Sequence, residues 1–332
     1  MPSVIIGALQ SLGAHLCFLD SDDVMKPERV RVQLAASLRF PNAMIGSRVE
    51  RVPADSTSRY THWINGVTQR ELVTHRFRDV SLIAPTWFMP RRVFASTGGF
   101  SPELAEDLLL LHAHITAFAH QHGHDGAQAW SIARRAFRPL DHSTSALSVV
   151  GHTDADPRDR STTAEARISA GMPTAEQLVL PTSEVALYRC PEVLMMYRFR
   201  EASGSFRVSR AYLREMRTAL LVDQVLTKWP DRFGIWSAGK NGRQFFQALP
   251  AHLQARVRAF YDVDAKKLGK EYRHHDPVTR HVLRSIPILP IEGLVPPFVT
   301  CLALDRTEGV FEATLAHMAV DLVEGRDYVI FN

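Results

Sequence analysis

With 332 residues, 45% of them hydrophobic and 22% charged, the chain can bury a substantial core and is long enough for two domains. No apolar run approaches the roughly 18–20 residues of a membrane-spanning helix, and no basic stretch leads into a signal-peptide core, so the chain reads as an ordinary soluble protein with a cytoplasmic location as the expectation. A formal net charge of +4 allows a nucleic-acid partner without requiring one, and three far-apart cysteines in apolar contexts, Cys17, Cys190 and Cys301, read as buried thiols with no disulfide framework.

The first element is an apolar strand, His15 to Leu19, that runs directly into Asp20-Ser21-Asp22-Asp23. Three carboxylates within four positions repel one another, and a divalent cation drawing oxygen ligands from two of them is a direct compensation. Helix capping is the competing reading, since Ser and Asp are good N-caps and Pro27 suits a first helical turn. A cap needs only one acceptor, however, and here there are three acids. Pro27 to Arg39 is expected to form an amphipathic helix, with Val30, Leu34 and Leu38 spaced by four and Arg29 and Arg31 on the surface.

Ala43 to Val52 reads as a strand, and residues 53–63 as a loop whose Tyr60 and Trp63 either line a groove or anchor the loop. A further strand is expected at 84–88, through Thr86-Trp87-Phe88, then a helix and the turn Gly98-Gly99-Phe100. Glu106 and Asp107 lead an apolar helix from Leu108, where first-turn acids also suit the helix dipole. Residues 122–183 change to His, Gly, Ala, Ser, Thr, Asp and Arg, a composition that buries too little apolar surface to order itself and reads as a disordered insertion. His112, His114, His120, His122 and His124 lack cysteine or carboxylate partners at ligand spacing and read as solvated.

Leu194 to Arg200, followed by Ser203-Gly204-Ser205, reads as a strand of alternating Arg and aromatics; Arg198 or Arg200 either meets phosphate or belongs to a solvated edge. In the second half, strand Phe233–Trp236, the turn Ser237-x-Gly239-x-x-Gly242 and a helix at Arg243–Leu249 make a Rossmann-like opening. The next strand, Val257–Tyr261, ends at Asp262, 20 residues past Gly242, where a dinucleotide fold keeps its ribose-binding acid. Serine in place of the first glycine leaves two readings: a dinucleotide site, or a structural or substrate-positioning module. Pro297–Leu304, Phe311–Met318 and Tyr328–Phe331 supply a strand, a helix and a last strand.

Taken together, Asp20-Ser21-Asp22-Asp23, Thr86-Trp87-Phe88, Gly98-Gly99-Phe100 and Glu106-Asp107 resemble, in order and rough spacing, the family 2 inverting glycosyltransferases of the GT-A fold. The resemblance implies a divalent metal, Mn2+ or Mg2+, and a UDP-sugar donor held by Asp20 and Asp22, Asp20 near the ribose and Asp22 on the metal. It makes Asp107 the general base and gives Trp87, Glu106, Tyr197 and Arg198 places in the substrate site.

Longer runs, Cys17–Met25, Arg59–Asn65, Ala84–Phe88, Glu106–Leu109, Ile235–Arg243 and Ala259–Asp264, are similar to the branch of that family that glycosylates queuosine in tRNA, described also as β-1,3-N-acetylglucosaminyltransferase-like. A tRNA acceptor is implied, with Lys240, Arg243, Arg256, Arg258, Lys266, Lys267 and Lys270 available for its phosphates. The implied organisation is a GT-A domain at 1–121 and 184–207, interrupted at 122–183, then a linker helix and Rossmann-like domain at 208–332. A GT-A domain normally places nucleotide-binding βα units ahead of the acidic strand, so the expected domain is N-terminally incomplete, with that strand at an open edge. A catalytically inactive RNA- or protein-binding module is the alternative.

Overall fold

The computed structural model describes residues 7–8, 10–101, 104–122, 185–200, 208–229, 232–302, 304, 309–319 and 321–331; nearly all of the expected insertion, and Ser203–Ser205, lie outside the described residues. The chain is mixed α/β, built on two mixed sheets. The first comprises β1 (His15–Cys17), β2 (Val24–Met25), β3 (Met44–Val52), β4 (Phe88–Pro90) and β5 (Leu187–Arg198) in the order β1-β4-β3-β5-β2. β3 and β5 run parallel as its spine, β4 is antiparallel to both its neighbours, and β1 lies at an edge, as expected for the acidic strand.

Helices cover both faces of this sheet, because its central strands carry apolar side chains on both sides. On one side α1 (Arg29–Arg39) packs Val32, Ala36 and Phe40 against Ile45, Phe88 and Tyr188. On the other, α4 (Glu106–Gln121) sets Leu108, Leu111 and Ile115 against Met44, Met89 and Leu187. Between them in the chain come α2 (Ser58–Gly66) and α3 (Arg91–Ser96).

The inward face of α1 is not the expected one. Val30 and Leu38 are 45% and 54% exposed, whereas Arg29 is 0% exposed. The reason is a set of backbone acceptors left over where β1 and β4 run out of ladder. Arg29 donates through Nη2 to the Phe18 carbonyl at 2.7 Å and through Nε to Gln33 Oε1 at 2.9 Å, and Gln33 Nε2 donates to the Thr86 carbonyl at 2.7 Å. Leaving those carbonyls buried and unpaired would cost more than exposing two aliphatic side chains.

Other expectations shift for similar local reasons. The loop expected at 53–63 becomes a turn followed by α2, pinned to β3 by the Asn65 amide, which accepts from the Val49 N–H at 3.0 Å and donates to its carbonyl at 2.8 Å. Ala84–Thr86 is a 3-10 turn and the strand begins at Phe88, because the Trp87 indole N–H bonds back to the Leu82 carbonyl at 2.8 Å. Cys17 is exposed on the edge strand, while Cys190 and Cys301 are buried. His112 and His114 are enclosed, not solvated: His112 meets Gln224 Oε1 at 3.1 Å and His114 the Ala186 carbonyl at 2.7 Å. Burial pushes their pKa values down to about 3 and about 4, so both are neutral core groups.

From β5 the described chain resumes at α5 (Arg210–Leu221), which leads into the second sheet: β6 (Phe233–Trp236), β7 (Val257–Asp262), β8 (Glu271–His275), β9 (Val282–Pro290), β10 (Phe298–Thr300) and β11 (Tyr328–Ile330). The order β11-β10-β6-β7-β9-β8, all parallel except β8, is doubly wound and Rossmann-like. α6 (Lys240–Ala248) follows the glycine turn and α7 (Val310–Met318) covers the opposite face. A Cβ on Gly242 would lie 1.9 Å from the Ser237 carbonyl oxygen, so only glycine fits this strand-to-helix crossing. Asp262 is spent internally, accepting from the Ala238 and Asp264 N–H groups at 2.9 Å each and pairing with Lys267 at 3.1 Å. That favours the structural reading of the turn over a ribose site. The β8–β9 hairpin has no counterpart among the elements read from the residues. Phe77 inserts into the second core, and His75 lies 3.7 Å from Glu324, so the two sheets share an interface.

Arg29→Leu is expected to lower stability by about 3 kcal/mol, because it strands the Phe18 carbonyl and Gln33 in the core. Urea unfolding measures this, and Arg29→Lys should recover less than half, since a lysine cannot bond both partners in a fixed plane. A loss below about 0.5 kcal/mol would show that the clamp is not needed.

Candidate active site

The acidic turn emerges where β1 ends. Phe18 still pairs with β4, its N–H donating to the Trp87 carbonyl at 2.9 Å, and the chain turns when the Asp23 N–H bonds to the Asp20 carbonyl at 3.1 Å. Asp23 is 7% exposed, and its Oδ1 accepts from the Arg198 N–H at 2.8 Å, which ties the turn to the end of β5. Its Oδ2 is buried with no hydrogen-bond partner among the described residues. Asp22 pairs with Arg200 at 3.1 Å, a rim contact with Arg200 half exposed.

Asp20 is open to solvent on one side and crowded by protein on the other. Its pKa is pushed up to about 6, by partial desolvation first and then by Asp23, Asp22 and Glu106. The start of α4 therefore lies within electrostatic range of the acidic turn. Ala105, in the left-handed region at φ 62°, swings the chain into that helix. Asp107 is half-buried there, its Oδ1 accepting the Leu108 N–H at 2.7 Å. Burial raises its pKa to about 6; the Leu108 N–H opposes the rise, while Glu106 and Asp79 add to it.

A stacked wall flanks these acids. The Arg51 guanidinium lies 3.8 Å from the centre of the Tyr197 ring and 5.9 Å from that of Tyr60; Tyr60 packs against Trp63 at 5.8 Å, and Arg78 lies 4.5 Å from Trp63. The Tyr197 pKa is raised by burial, with Arg51 opposing and Asp23, Asp20 and Asp107 assisting, so this ring lies within electrostatic range of both acid elements. Tyr60 is raised well above the ordinary value by burial, with Asp79 and Asp107 among its neighbours.

Asp20, Asp22, Glu106, Asp107 and Tyr197, expected from sequence, are therefore gathered into one region. The two other expected residues, Trp87 and Arg198, adjoin it in different ways. Trp87 is 0% exposed, enclosed by Phe18 at 6.4 Å and Phe100 at 6.3 Å, beneath the acidic turn. Arg198 contributes its backbone N–H to Asp23, and its charge tempers that carboxyl. Arg51, Asp79 and the pairing of Arg200 with Asp22 went unread in the sequence, because each depends on partners from distant elements.

The donor set at the turn is all oxygen and anionic, which suits a hard divalent cation. The raised Asp20 pKa and the unpaired Asp23 Oδ2 both mark negative charge left uncompensated by the protein. Among the described residues no three His, Cys, Asp or Glu side chains stand at metal-ligand spacing, and Asp22 would leave Arg200 to join Asp20. No family model matches the chain, and no solved structure matches it.

Because the Asp107 pKa lies above the ordinary 3.8, its ionised form destabilises the fold above about pH 6, and the penalty is absent below about pH 4. Asp107→Asn should accordingly raise stability by about 1–2 kcal/mol at pH 8, a gain that fades as the pH falls through that window. Thermal melts across the pH range test this, and a pH-independent effect would contradict it.

Proposed function

We propose that the chain is an inverting, metal-dependent glycosyltransferase of the GT-A type, family 2-like, moving galactose or N-acetylglucosamine from a UDP-sugar to an acceptor hydroxyl, with queuosine in tRNA as the acceptor. What supports the reading is that Asp20, after the end of β1, and Glu106 and Asp107, at the start of α4, lie within electrostatic range of one region that also holds the Tyr197 ring. Inversion at an anomeric carbon needs one general base and stabilisation of the leaving diphosphate, with no enzyme nucleophile.

Asp107 suits the base. A pKa near 6 leaves it ionised at neutral pH yet more basic than an ordinary carboxylate, and its Oδ1 is steadied by the Leu108 N–H. Asp20 and Asp22 would hold Mn2+ or Mg2+, which when bound supplies positive charge to the departing diphosphate. Glu106 keeps the field around Asp20 and Asp107 negative, favouring cation uptake. The Tyr60 and Tyr197 faces, braced by Arg51, offer apolar planes of the kind sugar rings rest on. The alternative, a non-catalytic RNA- or protein-binding module, draws support from Asp22, whose charge is already paired with Arg200.

Incubation with UDP-galactose, manganese and queuosine-containing tRNA should give transfer, and Asp107→Asn should reduce kcat by about 10²–10⁴-fold with KM little changed. Below about pH 6, kcat/KM should fall about tenfold per unit as Asp107 takes up its proton. Undiminished transfer by Asp107→Asn would remove it as the base, and no transfer by the unaltered chain, with RNA binding retained, would favour the binding module.

A further inference from the structure

The second sheet is electrically lopsided. Between residues 240 and 284 there are ten Lys and Arg against four Asp and Glu, whereas residues 285–332 carry two against seven. The fold converts this run into a spatial separation. The basic segment builds β7, β8 and the start of β9 on one side of β6, and the acidic segment builds β10 and β11 on the other.

The acids within the basic segment are occupied. Asp262 and Asp264 pair with Lys267, Glu271 accepts from the Ser285 hydroxyl, and Asp276 accepts from the Val278 and Thr279 N–H groups of its own turn. Several of the basic residues expected to meet phosphate are also spent. Arg256 bonds the Leu226 and Trp229 carbonyls, Arg258 those of Val295 and Arg232, and Lys267 the two aspartates.

Exposed and outside any ion pair among the described residues are Lys240, Lys266 and, grouped on the β8–β9 hairpin and its approach, Lys270, Arg273 and Arg280. The hairpin also carries His275 and His281 at its surface. On its inner face His274 pairs with Arg284 across the strands and stacks 6.5 Å from Tyr272, whose ring lies 5.4 Å from the Arg243 guanidinium.

β8 is the far edge of the sheet. β11, at the opposite edge, packs on the His75–Phe77 turn of the first sheet's unit. Five strand spacings separate the two edges, about 24 Å. A ligand that touches both the hairpin and the first sheet's unit must therefore be extended, as a polyanion is. We propose that the β8–β9 hairpin edge, through Lys270, Arg273 and Arg280, is a docking surface for the phosphodiester backbone of an RNA, and so holds the acceptor at a distance from the reacting hydroxyl. The choice of RNA among polyanions rests on the function proposed above; the placement of the surface rests on the charge separation.

The test is fluorescence anisotropy of a labelled tRNA transcript with the full chain. Lys270→Glu/Arg273→Glu/Arg280→Glu should bind at least tenfold more weakly, with the log K against log salt slope shallower by about 2–3, as expected for three lost phosphate contacts. Arg273→Lys/Arg280→Lys should bind within about twofold of the unaltered chain, because backbone contacts of this kind read charge. A thermal melt checks that the triple variant folds, and Arg280→Glu alone, at a loss of about threefold, serves if it does not. Unchanged RNA affinity in folded variants overturns the proposal. So does preferential binding to phosphatidylserine vesicles through the same residues, which would make the edge a lipid surface. Asp107→Asn should bind RNA normally. Edge-dependent RNA binding without any sugar transfer would therefore sustain this inference while removing the glycosyltransferase reading, and transfer with edge-independent binding would do the reverse.

Discussion

The Arg29 guanidinium, sealed between α1 and the converging ends of β1 and β4, bonds the Phe18 carbonyl and, through Gln33, the Thr86 carbonyl. These are the points at which two antiparallel strands separate and their backbone groups lose each other as partners. A buried cation is costly to desolvate, and burial accordingly lowers the Arg29 pKa; the carboxyl of Asp23 and the nearby thiols act in the opposite direction. The geometry of the acidic turn depends on this contact, since Asp20 leaves the strand only two residues after Phe18. The floor beneath it, Trp87 with Phe18 and Phe100, is set by the same junction.

Around that anchored turn the protein concentrates negative charge and answers it only in part. Asp23 is tied to β5 by one oxygen and leaves the other without a partner among the described residues, Asp22 takes a counter-ion from the exposed Arg200, and partial burial, with the neighbouring acids adding to it, lifts the Asp20 pKa to about 6. Such an arrangement sacrifices some stability at neutral pH for a concentrated field, a compromise typical of sites that bind or react. Arg51, between Tyr60 and Tyr197, is the nearest balancing charge in the wall, stacked on aromatic faces and acting on Asp23 through space.

Much of this was legible from residue order. The strand running into Asp20, the Glu106-Asp107 helix start and the βαβ opening at Phe233–Asp262 all follow from apolar runs meeting punctuation residues, and each lies where expected. The inner face of α1 was not legible, because a stripe of Val30, Leu34 and Leu38 carries no information about which carbonyls lie opposite the helix. Nor was the burial of His112 and His114, whose partners Gln224 and Ala186 are far along the chain. Trp87 reads equally well as a binding surface or a core residue until the Leu82 carbonyl and Phe100 are brought to it. In the basic half, composition located the charge but could not separate Arg256 and Arg258, spent on backbone carbonyls, from Arg273 and Arg280, left facing water.

By itself, then, the sequence determined the strand that runs into the acids and the helix that Glu106 and Asp107 open, that these acids exceed what capping requires, and that the second unit winds in Rossmann-like fashion. These are consequences of local periodicity and turn chemistry, which act over a few residues. Tertiary structure alone decided that Asp20 comes within electrostatic range of Glu106, that Arg29 lies inside while Val30 lies outside, and that charge in the second sheet separates to opposite edges. Those outcomes depend on pairing between segments far apart in the chain, where each buried polar group must find a partner that no neighbouring residue can supply.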